Sequence, residues 1–111
     1  MAVPEAEFRS VARVEDIPPG KIAALQVDGE DIAVANIGGE FFATQGHCLH
    51  LQGPLGEGRL EGAVLSCPWH GWQYDVRTGE NEFDRAIQLD TYEVRVEDGE
   101  VKVALASGRP S

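Results

Sequence analysis

The chain has 111 residues, 42% of them apolar and 25% charged, with nine Lys/Arg against nineteen Asp/Glu. That length fits one domain and excludes a catalytic module of several hundred residues. A formal net charge of −10 argues against nucleic acid as the main partner, because phosphate binding draws on clustered Lys and Arg; it favours docking onto a basic patch of another protein.

From the N-terminus, Met1 to Glu7 shows no basic start and no apolar run, so no signal peptide is expected, and residues 1–5 read as a frayed tail. Strands are expected at Phe8 to Val14, Lys21 to Val27, Asp31 to Ile37 and Glu40 to Thr44. Pro18-Pro19-Gly20 breaks the chain between the first two, and Asp28-Gly29 and Gly38-Gly39 supply hairpin turns. Residues 45–60 are too rich in glycine for a strand and too irregular for a helix. Short strands follow at Ala63 to Ser66 and Trp72 to Val76, separated by the irregular Cys67-Pro68-Trp69-His70-Gly71, with Thr78-Gly79 as a further break. Near the C-terminus Tyr92, Val94 and Val96 alternate with Glu93, Arg95 and Glu97. Across Asp98-Gly99 the pattern continues through Val101, Val103 and Leu105, which reads as a hairpin with one buried face. Residues 106–111 read as a second tail. No window carries a helical stripe, and no apolar run approaches the roughly 18–20 residues that cross a bilayer. The expectation is a single all-β domain over 1–111, an antiparallel sandwich or small barrel, with function placed in the two irregular loops.

Both cysteines and two of the three histidines lie in those loops, as Cys48-x-His50 and Cys67-x-x-His70, with sixteen residues between His50 and Cys67. Two cysteines exclude a disulfide-rich secreted scaffold and point to a cytoplasmic, reduced-thiol protein. Each loop offers one thiolate and one imidazole, and the intervening chain suffices to leave one loop, form a strand and return. A structural zinc site is one reading of two Cys and two His, although neither the knuckle nor the H-x₃₋₅-H spacing is present. Unliganded buried thiols and surface imidazoles are another. Spacing favours a metal site over none.

Cys48-Leu49-His50 with Cys67-Pro68-Trp69-His70-Gly71 resembles the C-x-H…C-P-x-H-G signature of Rieske iron–sulfur proteins, most closely over residues 45–80. The resemblance implies a β-sandwich-like scaffold with a small cluster-binding subdomain. It also implies one [2Fe–2S] cluster, with Cys48 and Cys67 on the inner iron and His50 and His70 on the outer. Two ferric ions, two sulfides and two thiolates sum to a formal charge of about zero, against about −2 with four thiolates, so the mixed set accepts an electron more readily. Gly53, Gly56, Gly58 and Gly71 are candidates for close backbone approach or for turns.

The chain departs from the high-potential members. They carry an extra cysteine in each loop, and none exists here. They place Ser just after the His-Gly pair, where Trp72 stands, while Tyr74 matches a second donor. Fewer donors imply a low potential. Size and low potential together resemble the ferredoxins of ring-hydroxylating dioxygenases, which carry single electrons from an NAD(P)H-dependent flavoprotein reductase to a terminal oxygenase and catalyse nothing alone. A small subunit of a nitrite reductase-like complex and a zinc-stabilised interaction module are the alternatives. His47 reads as a solvated loop histidine rather than a fifth ligand. Trp69 reads as either a docking anchor or a lid. The acidic pairs Glu15-Asp16, Glu30-Asp31 and Glu97-Asp98 read as solvated turns. Gly56-x-Gly58 lacks the third glycine of a dinucleotide loop, since Glu61 stands there.

Overall fold

The computed structural model describes residues 8–47, 54–68 and 71–109. All three dipeptide turns take the conformation their residues permit. Both residues of each have positive φ: 50° and 84° at Asp28-Gly29, 60° and 102° at Gly38-Gly39, 53° and 76° at Asp98-Gly99. That backbone matches the twist of two-residue hairpins and fixes the register of the flanking strands.

Among the described residues, β1 (Phe8–Arg13), β2 (Ile22–Val27), β3 (Glu30–Ile37), β4 (Glu40–Gln45), β8 (Thr91–Glu97) and β9 (Glu100–Arg109) form one sheet. Its order is β1-β9-β8-β4-β3-β2, and every pairing is antiparallel. A second sheet of β5 (Arg59–Glu61), β6 (Val64–Ser66) and β7 (Gln73–Asp75) has the order β5-β6-β7. The expected all-β fold is what the chain adopts.

Three local expectations are corrected. Residues 59–61 form β5, because they pair with β6 from Arg59↔Ser66 to Glu61↔Val64; backbone pairing overrides the weak strand signal of Arg-Leu-Glu. Residues 106–109 are not a tail but continue β9, reaching the pair Thr91↔Arg109 after a register shift between Thr91 and Glu93. Val14–Asp16 is a 3₁₀ turn rather than the end of β1, with the Arg13 N–H donating to Asp16 Oδ2 at 3.0 Å. Residues 1–5 lie outside the described residues.

The core has two compartments, and β3 divides them. Ile32 and Val34 pack with Ile17, Val27, Ala43, Val101 and Val103 on one side. Ala33 and Ala35 pack with Leu55, Leu65, Cys67, Tyr74, Val76 and Leu89 on the other. Alternation is therefore absent from β3 because both its faces are buried, and alanines on the second face leave room for the small sheet. Asn36 sits on that strand at 2% exposure. Its Nδ2 donates to the Ile17 carbonyl at 2.7 Å, and its Oδ1 accepts from the Gly39 N–H at 2.8 Å.

Gly56 locks the small layer onto the large sheet, since a Cβ there would strike the Ala24 backbone. Gly56→Ala is expected to cost about 1–3 kcal/mol by overpacking, read from denaturant unfolding. Gly20→Ala meets nothing within 4 Å and is expected to cost only the left-handed backbone term, about 1–2 kcal/mol.

Candidate functional site: two clamped loops

β4 delivers the chain into the first loop, and the loop's mouth is closed by backbone. The Gly46 N–H donates to the Asp31 carbonyl at 2.9 Å, and the Gly46 carbonyl accepts from the Leu55 N–H at 2.9 Å. His47 then bridges to Pro54. A Cβ on Gly46 would lie 2.7 Å from the Asp31 carbonyl, so this approach is open only to glycine. Gln45 ties the mouth to the chain entering β8. Its Nε2 donates to the His47 carbonyl and its Oε1 accepts from the Asp90 N–H, both at 2.8 Å.

The second loop is the connection of the β6–β7 hairpin. Its mouth is closed by the Cys67 N–H donating to the Trp72 carbonyl at 2.7 Å. Just outside it, on the strands, Ser66 pairs with Gln73, and Gln73 Nε2 donates to Ser66 Oγ at 3.2 Å. Gly71 makes the return at φ 71°.

The two mouths converge. Leu55, at the first mouth, and Cys67, at the second, share one core with Leu65 and Tyr74. Gly58 lies so close over Ser66 that a Cβ would strike its carbonyl oxygen. Cys67 is buried at 3% exposure. Of the four predicted ligands it is the one the structure places. Cys48, His50 and His70 lie outside the described residues, as does Trp69. His47 is half-exposed and turned to Asp31, with Nε2 to Oδ2 at 3.5 Å. No three His, Cys, Asp or Glu side chains gather as a cation site among the described residues.

Gln45, Leu55 and Asp90, which clamp the first loop, carry no sequence signal. Their roles depend on contacts up to 45 residues apart in the chain. The flank of that loop is negative. Burial, and then the charges of Asp90 and Glu30, hold the Tyr92 hydroxyl above its ordinary range.

A bidentate pair fixes the turn after β7. Arg77 Nε and Nη2 donate to Asp75 Oδ1 and Oδ2 at 3.0 and 2.8 Å. Those side-chain hydrogen bonds, above all, hold the Asp75 carboxyl below the ordinary carboxylate range against the opposing effect of partial burial. A depressed native pKa stabilises the fold above the unfolded carboxylate's pKa, and that stability is lost as pH falls through the lower native value. Arg77→Gln is therefore expected to lower the melting temperature at pH 7, with the gap to wild type closing as pH drops below the usual Asp range. A gap unchanged in acid contradicts this.

Fold and site together define a class: a small antiparallel β scaffold presenting two backbone-clamped loops around a buried thiol. A model of the Rieske [2Fe-2S] domain matches residues 7–93. The ferredoxin component of biphenyl 2,3-dioxygenase from Rhodococcus jostii (strain RHA1) is 39% identical over 94 residues, 84% of this chain and 88% of that protein. A solved complex of reduced oxygenase and oxidised ferredoxin in carbazole 1,9a-dioxygenase contains a similar chain, with TM-score 0.84 and 34% identity over 94% of this chain and 97% of that one. The Sphingomonas yanoikuyae B1 ferredoxin has TM-score 0.79 and 31% identity over 92% of this chain and 98% of its own. The chain belongs to the Rieske [2Fe–2S] family, as a ferredoxin component of the dioxygenase type, an electron-transfer protein and not itself a catalyst. The family implies one Rieske-type [2Fe–2S] cluster.

Proposed function

We propose that this ferredoxin takes single electrons from an NAD(P)H-dependent flavoprotein reductase and delivers them to a terminal ring-hydroxylating oxygenase in the cytoplasm. Cys48, Cys67, His50 and His70 would hold its one [2Fe–2S] cluster. The observation that carries the ligand assignment is Cys67, buried in an apolar core at the mouth of a clamped loop. A thiolate is the form that binds metal, and apolar surroundings favour it only when it is bonded, as to iron. When bound, the cluster supplies a one-electron redox couple.

The chain's own residues do the rest. The clamps Gly46–Leu55 and Cys67–Trp72 fix where the loops start and end. Tyr74, fully buried in the same core as Cys67, is read as the second donor that the sequence suggests. Trp72 stands where high-potential relatives place a hydroxyl, and its indole packs partly buried against the same core. The dioxygenase context rests on the ferredoxin relatives, which match this chain along most of their length.

Two outcomes are expected. Redox titration should give a midpoint near the bottom of the Rieske range, at roughly −150 mV; a value above zero contradicts the donor argument. Cys67→Ser, His50→Ala or His70→Ala should abolish or remodel the visible chromophore and cut bound iron and labile sulfide. His47→Ala, which removes the contact to Asp31, should leave the spectrum nearly unchanged. Loss of the chromophore in His47→Ala would redraw the ligand set. The function itself is tested by anaerobic reduction with a flavoprotein reductase followed by reoxidation with a terminal oxygenase. Failure of reoxidation by any aromatic-ring oxygenase overturns the assignment.

A further inference from the structure

Large apolar side chains on the described surface are few: Phe83 is 67% exposed and Val96 48%. Val96 is the penultimate residue of β8, near the Asp98-Gly99 turn. Phe83 sits beside the second loop, its ring edge-on to Trp72 with centroids 5.2 Å apart and planes at 88°. Trp72 in turn supplies the carbonyl that closes that loop on Cys67. An exposed phenylalanine braced against the aromatic at the mouth of the cluster loop is placed for contact rather than for packing.

The segment carrying Phe83 is held rigid. Asn81, at 1% exposure, accepts on Oδ1 from the backbone N–H groups of Phe83 and Asp84 at 3.0 and 3.1 Å. The Glu82 N–H donates to the Gln73 carbonyl and the Asn81 N–H to the Ile87 carbonyl, both at 2.8 Å. Asp84 accepts from the Ala86 N–H on Oδ1 and from the Ile87 N–H on its carbonyl, both at 3.0 Å. An apolar anchor on a loop already ordered loses little entropy on docking, and aromatic anchors dominate interface energetics. Along this segment acidic residues outnumber basic ones, with Glu80, Glu82 and Asp84 against Arg85, although Arg77 lies close enough to Glu82 to feel its charge, and the whole chain carries a net charge of −10. The complementary partner surface is an apolar hollow rimmed by Lys and Arg.

We infer that Phe83, braced by Trp72 and carried on a segment with Glu80, Glu82 and Asp84, is the anchor with which this ferredoxin docks on a basic, apolar-centred face of its terminal oxygenase. The inference rests on the proposed function and names the contact surface for that step. The oxygenase is the partner present with a ferredoxin in the solved structure that this chain matches at 34% identity. In the complex the reduced ferredoxin is oxidised by one electron and the oxygenase's iron centre is reduced by one.

The test uses the cluster-loaded full chain and the oxygenase component of the Rhodococcus jostii biphenyl 2,3-dioxygenase as probe, with the naphthalene and carbazole oxygenases as further acceptors. Phe83 is exposed, so Phe83→Ala should keep the wild-type absorption spectrum and reducibility by dithionite. Its KM for oxygenase reduction should rise by about fivefold or more with kcat little changed, and Phe83→Trp should restore it. Glu82→Lys should raise KM at low salt and lose that effect at high salt. A smaller rise for Phe83→Ala, or a rise confined to reduction by the flavoprotein, overturns the inference. If wild type passes electrons to none of these oxygenases, the proposed function has failed instead, and the anchor falls with it.

Discussion

Burial of β3 on both faces is the constraint on which the rest of the molecule depends. One face closes the core of the six-stranded sheet through Ile32 and Val34. The other, reduced to Ala33 and Ala35, receives Leu55, Leu65, Cys67 and Tyr74 from the loops and the small sheet. Larger residues there would hold the small layer away, and the two loop mouths would no longer meet over a common core. Packing at interior density transmits such displacements rather than absorbing them. The position of Cys67 is thus set by alanines on a strand more than thirty residues earlier in the chain.

The same logic explains the distribution of glycine. Gly46, Gly56 and Gly58 each lie where a Cβ would strike backbone: Asp31, Ala24 and Ser66 respectively. They let the first loop's base and return path press onto both sheets. Gly71 and Gly38 face open space and serve turns of positive φ. An electron carrier benefits from such a frame, because a site fixed in advance changes little in geometry when its charge changes. The surface answers a different demand. Carboxylates spread over a small body give a field that steers it towards basic partners and weakens with salt.

Much of this could be read from the residues themselves. Asp28-Gly29, Gly38-Gly39 and Asp98-Gly99 marked their hairpins because their backbone preference is local and strong. The alternation from Tyr92 to Leu105 marked β8 and β9 because one face is buried. The two Cys/His loops stood out because four donor side chains at fixed spacings have little other reason to coincide. What was not legible depends on distant contacts. β5 exists only through its pairing with β6, and residues 106–109 are strand only through pairing with β8. Gln45 and Asp90 look ordinary in sequence and become a clamp only when β4 and β8 come side by side. Phe83 carries no sequence signal because its neighbours show no periodicity; its place beside Trp72 is a product of the hairpin and the loop together.

The central claim is that two sulfur and two imidazole nitrogen donors from these clamped loops hold one diiron centre. Pulsed electron paramagnetic resonance of the reduced protein, prepared with ¹⁵N-labelled histidine, reads this directly. The account predicts two strongly coupled histidine nitrogens, one of which disappears in whichever of His50→Ala and His70→Ala retains a cluster, and both of which persist in His47→Ala. A reduced centre coupled to no histidine nitrogen would contradict it.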